Sequence, residues 1–225
     1  MIALEPLGDR SFFAQFATED QARGWAESVR GITLIGVVDV VLAYRGVVVH
    51  ADPDRVDLET LGRQLIAIRA DGIKERTGKL VIVPVLYDGE DLAEVAATLK
   101  QTIDDVVVLH TGRVYRVLAV GFLPGFPYAG DLDPALSGLP RRNRPRARVP
   151  AGSVAIVGDQ TGIYPAESPG GWHLIGRTPL RIVDLAIGHF PIAAGDTLRF
   201  VPIDEGEYQS RLGEILGLGR ADRLG

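Results

Sequence analysis

The segment QTGIYPAESPGGWHLIGRTP, residues 160–179, decides how the second half of this sequence folds. It holds four glycines and three prolines, and neither residue type favours the interior of a helix. Glycine and proline recur every few residues throughout 118–202, and the 3.6-residue period of an amphipathic helix is absent there. This part of the chain therefore predicts short strands joined by tight turns, the pattern of a barrel or a sandwich.

Five strands and one final helix are predicted in this region. The helix is expected over 207–216, with Leu212, Ile215 and Leu216 on one side. The strands are RVYRVLAVGF (113–122), AGSVAIVG (151–158), WHLIG (172–176), LRIVDL (180–185) and DTLRFVPI (196–203).

The first part of the chain has a different character, because strand-like and helix-like pieces alternate in it. The order β-β-α-β-β-α is predicted, with strands in SFFAQFA (11–17) and VVDVVLAYRGVVVHAD (37–52) and a helix in EDQARGWAESVR. A second helix begins at Asp57, which we expect to cap it. We therefore predict an α+β fold, with a small α/β domain at 1–79, a β-rich domain at 80–225, and the boundary in the charged run 73–79.

Two further helices are expected after the strand KLVIVPVLY (79–87). Each has the spacing of an N-terminal capping box, in which a short polar side chain and an acid three residues later satisfy free backbone N–H groups. The first box pairs Asp91 with Glu94, and the second pairs Thr102 with Asp105.

Composition and motif searches exclude several function classes. The chain has 225 residues, a net charge of -5 and no cysteine, which indicates a cytoplasmic protein and argues against nucleic-acid binding. No apolar run is long enough to span a membrane, so no transmembrane segment is expected. The four histidines lack the spacing of metal ligands, so no metal site is expected. No glycine-rich nucleotide loop or other common catalytic signature is present, so no cofactor is evident in this chain.

The loop GFLPGFPYAGDLD, residues 121–133, is the first candidate site. Phe122, Phe126 and Tyr128 alternate with Pro124 and Pro127, which stiffen the backbone and remove donors from it. Such a loop can present aromatic rings to a partner protein, and these five residues are the predicted partner-binding set. The alternative is a loop whose aromatic side chains plug the end of the β-rich domain.

The run PRRNRPRARVP, residues 140–150, places five arginines within eight positions. Guanidinium groups bind carboxylates and phosphates, and Arg142 is the predicted anion-binding member, whereas Arg146 is expected on a solvated face. The alternative for the whole run is a solvated loop.

A third candidate site lies in the opening segment, where Ser168, Gly170 and Gly171 could offer backbone amides to an anion. Tyr164 and Trp172 would supply flat walls for a ligand. The candidate catalytic groups are one acid, possible bases and one fixed cation: Glu167, His173, His110 and Arg177. Arg177 also belongs to the predicted anion-binding set. The alternative is that these glycines and prolines form hairpins only.

Read together, these segments resemble the signature of the B subunit of bacterial 5-oxoprolinase. The matching text is GFLPGFPYAGDLD, then PRR..PR..VPAGSVAIVG.QTGIYP, then SPGGWHLIGRTPL, so that the resemblance covers roughly residues 109–184. The same family includes the inhibitor of a sporulation sensor kinase. In older naming the family is called allophanate hydrolase subunit 1.

The resemblance implies a small ferredoxin-like α/β domain followed by a cyclophilin-like β-barrel. It also implies that the chain acts with the C and A subunits of 5-oxoprolinase to hydrolyse 5-oxo-L-proline to L-glutamate, with ATP as co-substrate and magnesium at the level of the complex. The alternative within the family is a protein-binding regulator that inhibits a sensor histidine kinase, which would use the same aromatic loop.

Overall fold

The computed structural model of the protein describes residues 2–69 and 78–218 and shows a mixed α/β fold. The chain divides into two compact units, Met1–Thr77 and Gly78–Gly225. Most of the predicted boundary segment, residues 73–77, lies outside the described residues. Across the described part of the chain, no helix combines the length and apolar character needed to cross a membrane.

The first unit contains one antiparallel sheet and two helices. Its elements are β1 (Ala3–Pro6), β2 (Ser11–Gln15), α1 (Glu19–Gly31), β3 (Val37–Ala43), β4 (Gly46–Ala51) and α2 (Leu58–Ala67). The strand order is β1-β2-β4-β3, and each neighbouring pair is antiparallel. Helix α1 packs against β3 and β4 through buried residues that include Trp25 and Val29. The order found is β-β-α-β-β-α, as predicted, but no strand was predicted at the position of β1.

A polar side chain caps the start of each of these two helices. Thr18 accepts the N–H of Gln21 at the start of α1, and Asp57 accepts the N–H of Thr60 at the start of α2, as predicted for Asp57. The turn between β3 and β4 consists of Tyr44 and Arg45, and Tyr44 has a left-handed φ of 53°.

The second unit is richer in strands and contains the remaining elements. They are β5 (Leu80–Val85), α3 (Leu92–Leu99), α4 (Ile103–Thr111), β6 (Tyr115–Val120), β7 (Pro127–Gly130), β8 (Arg146–Val149), β9 (Ser153–Val157), β10 (Gln160–Ile163), β11 (Ser168–Gly170), β12 (His173–Arg177), β13 (Thr197–Pro202) and α5 (Glu205–Arg211). Helix α3 packs against β12, and α4 packs against β13.

The main sheet of this unit runs in the order β5-β13-β6-β7-β10-β9-β12, and β8 pairs with β11 in a separate ribbon. All neighbours are antiparallel except β5 and β13, which are parallel. Over the described residues the sheet does not close, although an isolated bridge joins Leu86, just after β5, to Arg177 at the end of β12. A closed barrel stays a prediction.

Two predicted elements of this unit are wrong. LRIVDL is not a strand, and only isolated bridges at Arg181 and Asp184 occur there. The Asp184 side chain accepts the N–H of Ala186, which favours a turn over a continuing strand. The final helix is α5, which begins after its cap Asp204 and ends before Leu212, so it is earlier and shorter than expected. Leu212 is 59% exposed rather than packed.

The two predicted capping boxes have different outcomes. The box at the start of α4 is confirmed, because Thr102 and Asp105 bond to each other's backbone N–H groups. The box at α3 is wrong, because the Asp91 side chain makes no capping hydrogen bond. Asp91 is instead buried, and its partners are described below.

Candidate functional site

A pocket of about 270 Å³ in the second unit brings together the three segments that the sequence singled out. The aromatic loop, the arginine run and the Gly-Gly segment each contribute to its wall. Its lining residues are Phe122, Phe126, Tyr128, Arg141, Arg142, Pro145, Tyr164, Pro169, Gly170, Gly171 and Trp172. We call this the aromatic pocket.

Phe126 is the centre of the aromatic wall. It is 1% exposed, and its ring lies 4.9 Å from that of Tyr128, 5.1 Å from Tyr164 and 5.4 Å from Trp172, all in edge-on arrangements. Such contacts fix the rings relative to one another and add stability beyond burial. The wall is therefore formed before any ligand arrives.

Phe122, in contrast to Phe126, is mostly exposed. Its ring touches Phe126 edge-on at 5.7 Å, but 61% of the residue is exposed and its backbone φ is +66°. A left-handed φ is unfavourable for a bulky residue, by roughly 1–2 kcal/mol. Phe126 therefore fills the interior, and Phe122 faces outward, where partner binding by Phe122 stays a prediction. Pro124 and Pro127 do not line the pocket.

Gly170 and Gly171 form one edge of the pocket, and neither needs to be glycine because of a positive φ. Neither glycine has a left-handed φ, so the pair does not adopt the alternating geometry of an anion-binding nest. A Cβ at Gly170 would overlap the hydroxyl end of Tyr164, whereas a Cβ at Gly171 would make ordinary contact with Pro145 at 3.7 Å. The Gly171 carbonyl accepts the Arg142 N–H at 2.8 Å, which ties this edge to the arginine run.

The Tyr164 hydroxyl faces the same edge. Burial raises its pKa, and this effect outweighs the influence of the Trp172 backbone N–H and of the nearby charge of Arg141, which both lower it. The hydroxyl is therefore protonated at neutral pH. A protonated phenol carries one O–H donor, which can bond to an acceptor in the pocket.

Asp91 forms ion pairs with two arginines of the run. Its side chain is only 3% exposed, and one carboxylate oxygen accepts hydrogen bonds from both Arg142 and Arg146, the latter at 2.7 Å. The other oxygen accepts the Leu174 N–H at 2.8 Å. Burial by itself raises the pKa of Asp91, but the bonds from Arg146 and Leu174 with the two arginine charges hold it below its ordinary value.

The distinction that the sequence suggested between Arg142 and Arg146 is wrong. Arg146 is not on a solvated face, because it is half-buried and paired with Asp91 and with Glu90 at 3.1 Å. Arg142 lines the pocket but is engaged in the same way, since it also bonds Glu94 at 3.1 Å. The two guanidinium groups therefore have matched structural roles.

Two other candidates, His173 and Ser168, lie outside the lining of the aromatic pocket. His173 is buried and donates from Nε2 to the Pro140 carbonyl at 2.9 Å, while its Nδ1 has no partner among the described residues. It lines an adjoining pocket of about 420 Å³ that shares Arg141 and Arg142 with the aromatic pocket. Ser168 is buried in β11 and is not part of the lining.

Glu167 and Arg177 are not brought to the aromatic pocket. Glu167 pairs with Arg148 at 2.8 Å on the surface. Arg177 pairs with Asp88 at 2.8 Å and lies over the Tyr208 ring at 4.4 Å. Both are therefore occupied in ion pairs outside the lining.

His110 lies in the core of the second unit. The Thr161 hydroxyl donates to a backbone carbonyl, so it accepts from His110 Nε2–H at 2.9 Å, and His110 Nδ1 accepts from the Tyr87 hydroxyl at 2.6 Å. Burial lowers the pKa of His110 to about 3, so the ring is neutral at physiological pH. This arrangement supports a structural role.

Sequence reasoning missed two residues of the site. Asp91 was assigned to a helix cap, because a capping pattern and a buried ion pair use the same residue type. Arg141 was counted in the arginine run but not selected, since charge patterning does not reveal which arginines have carboxylate partners. The proximity of Asp91 to residues 142–146 is a long-range contact that has no local signal.

Comparisons with known proteins agree with this architecture. A family model described as carboxyltransferase domain, subdomain C and D, matches residues 2–188, which sets the class of the protein. A curated relative from Escherichia coli O157:H7, named as the B subunit of 5-oxoprolinase, is 39% identical over 191 residues, or 83% of this chain and 87% of the relative. A relative of the same name from Haemophilus influenzae is 38% identical, over 81% of this chain and 87% of its own length.

A solved structure supports the same placement. The crystal structure of a protein named TTHA0988 has a TM-score of 0.79 and 38% identity over 87% of this chain, which corresponds to 40% of that longer chain. The family model and the relatives together identify the family. The chain belongs to the family of 5-oxoprolinase B subunits, as its motifs indicated.

Proposed function

We propose that this chain is one component of an ATP-dependent 5-oxoprolinase, which hydrolyses 5-oxo-L-proline to L-glutamate together with the A and C subunits of that enzyme. The observation that carries the proposal is the aromatic pocket, because its wall is built from the segments that carry the family motifs. The names of the curated relatives support the same activity class.

The reaction explains why ATP and more than one polypeptide are needed. The ring carbonyl of 5-oxoproline belongs to an amide, which resonance protects from attack by water. In the proposed scheme the terminal phosphoryl group of ATP is transferred to the amide oxygen, and water adds to the activated carbon. The ring nitrogen then takes up a proton and leaves, which gives an acyl phosphate, and a second water displaces phosphate from that carbon to give the carboxylate of glutamate. Fixed donors near the developing negative charge would accelerate these steps.

The proposal assigns binding rather than nucleotide chemistry to this chain. Its sequence contains no recognisable nucleotide-phosphate loop, so we assign the ATP site, with its magnesium, to the assembled complex. The proposal gives His110 no role as a general base, because it is buried and its pKa is lowered to about 3. The aromatic pocket has no carboxylate in its lining, so the proposed role there is to hold a ligand.

The proposal also includes the finer fold and location that the resemblance implies. We propose that the second unit is a cyclophilin-like barrel and the first a ferredoxin-like domain. The bridge between Leu86 and Arg177, at the two edges of the main sheet, supports the barrel. A cytoplasmic location stays a prediction from the absence of cysteine.

The test is reconstitution. This chain and the A and C subunits are purified separately, and glutamate and ADP are measured in single, paired and triple mixtures with 5-oxo-L-proline, ATP and magnesium. Equal formation of glutamate and ADP only in the triple mixture is the expected result. Sustained 5-oxoproline-dependent ATP hydrolysis by this chain alone, or an inactive triple mixture in which the three polypeptides bind one another, would contradict the proposal.

A protein-binding regulator of a sensor histidine kinase is a second candidate, and Phe122 favours it. An exposed phenylalanine held in an unfavourable backbone conformation is typical of a recognition residue. Kinase autophosphorylation measured with the parent chain and with Phe122→Ala tests this candidate. If the parent chain does not inhibit the kinase, the regulatory role is rejected.

A further inference from the structure

We propose that the aromatic pocket is a binding site, complete within this chain, for a small monocarboxylate that carries a compact five-membered ring, and that Arg141 holds its carboxylate. This inference rests on the proposed function for the choice of 5-oxo-L-proline as the ligand. It goes further because it assigns the ligand to this chain and to a residue that the sequence did not select.

The partners of the arginine run point to Arg141. Three of the five arginines are paired with carboxylates, namely Arg142, Arg146 and Arg148. Arg141 and Arg144 have no hydrogen bond or ion pair with any residue in the described part of the chain. Only Arg141 of these two lines the aromatic pocket, and its charge acts on the Tyr164 hydroxyl in the pocket wall. Arg141 is therefore the cation that remains available to a ligand there.

The shape of the pocket selects the rest of the ligand. At about 270 Å³ it is smaller than the roughly 300–1,000 Å³ typical of sites for drug-sized molecules. Its wall of fixed aromatic rings suits the methylene groups of a five-membered ring. Gly170 lets the Tyr164 hydroxyl lie against the backbone of this edge, where a Cβ would overlap it. The Tyr164 O–H can donate to a polar group of that ring, such as an amide oxygen.

Inorganic phosphate shares the negative charge but fits these features less well. A phosphate has no apolar surface for the aromatic wall, and its several oxygens are usually met by more than one donor group. Neither glycine of the edge adopts nest geometry, so the backbone here lacks that common phosphate-binding arrangement. We therefore commit to a carboxylate and make phosphate an outcome of the test.

The test measures binding to the full chain without its partners. The chain has two tryptophans, so the indole N–H signal of Trp172 is easily assigned by comparison with Trp172→Phe and reports directly from the pocket wall. Four probes are titrated at constant ionic strength: 5-oxo-L-proline, cyclopentanecarboxylate, 2-pyrrolidinone and inorganic phosphate. The first two should shift the Trp172 signal in a saturable way, and 2-pyrrolidinone, which lacks the carboxylate, should bind at least about tenfold more weakly.

The matched variants are Arg141→Gln and Arg144→Gln. Both arginines are exposed and lie in the same loop, but Arg144 does not line the aromatic pocket. Arg141→Gln should weaken binding of the two carboxylates at least about tenfold without changing the melting temperature, and Arg144→Gln should leave binding within about twofold. Absence of binding, equal binding of 2-pyrrolidinone, tighter binding of phosphate, or equal effects of the two variants would each overturn the inference.

The inference and the proposed function fail separately. If the chain binds 5-oxo-L-proline through Arg141 but the triple mixture does not hydrolyse it, the pocket stands and the proposed function is wrong. If the triple mixture is active and Arg141→Gln leaves its KM for 5-oxo-L-proline unchanged, the function stands and the pocket assignment is wrong.

Discussion

Replacement of Asp91 by asparagine should destabilise the second unit and release the arginine run. The asparagine has nearly the same shape, but it removes the negative charge that two guanidinium groups share and places an amide N–H₂ against existing donors. Removal of one partner from a buried ion pair costs about 3–5 kcal/mol. Because Arg142 and Arg146 keep contacts to Glu94 and Glu90, we expect the lower end of this range.

The expected effect is measurable by thermal unfolding. For a chain of this size each kcal/mol corresponds to about 2–4 °C, so a loss of about 3 kcal/mol lowers the melting temperature by about 6–12 °C. The matched control is Glu90→Gln, which removes a 69% exposed partner of Arg146 and should cost about 0–1 kcal/mol. A melting temperature for Asp91→Asn within 2 °C of the control, a tolerance set by the roughly 2–4 °C per kcal/mol, would refute this account.

The pH dependence gives a second check on Asp91. Its folded pKa is lowered, so its stabilising contribution is present above the unfolded value of about 3.9 and is lost as pH falls through the folded pKa. The difference in unfolding free energy between the parent and Asp91→Asn should therefore be constant from pH 7 to about pH 5 and should narrow below about pH 4. A difference that widened on acidification would show that charge is not the cause.

Three further predictions concern other parts of the second unit. Gly170→Ala should lower stability by about 1–3 kcal/mol and impair ligand binding because its Cβ overlaps the Tyr164 hydroxyl, whereas Gly171→Ala should be nearly neutral in both assays. His110 has a folded pKa of about 3, so the unfolded chain binds more protons between that pH and about 6.5, and stability should fall on acidification by up to about 1.4 kcal/mol per pH unit. His110→Gln should flatten this slope in denaturant titrations, and an unchanged slope would contradict the assignment. Phe122→Gly should raise stability by up to about 1 kcal/mol in the same titrations, because glycine accepts the left-handed backbone without strain, and a loss of stability would contradict that reason.

The sequence predicted most elements whose signals are local. Alternating apolar residues located β6, β9 and β13, and the caps at Asp57 and Thr102 form as expected. LRIVDL has the same apolar alternation but is not a strand, because strand pairing depends on a partner elsewhere in the chain. The short ribbon of β8 and β11 was not predicted, because its strands RARV and SPG lack an alternating apolar pattern.

The candidate site was predicted in its segments but not in its internal pairing. The motifs identified three segments, and these meet in the aromatic pocket. The role of each arginine depends on which carboxylates reach it, and Asp91 lies 51 and 55 residues from its two partners. Residue type and spacing do not encode such contacts, so Arg142 was preferred to Arg141.

The pairing within the arginine run also explains how a cationic loop can select a single negative charge. The arginines of the run contact four carboxylates, which belong to Glu90, Asp91, Glu94 and Glu167. Five guanidinium groups against four carboxylates leave one net positive charge, so the loop is nearly neutral. A fully unpaired cluster would attract any polyanion, whereas this one favours a monoanion that also fits the aromatic wall. Asp91 therefore contributes to specificity as well as to stability, because it removes charge from the arginines that must not bind the ligand.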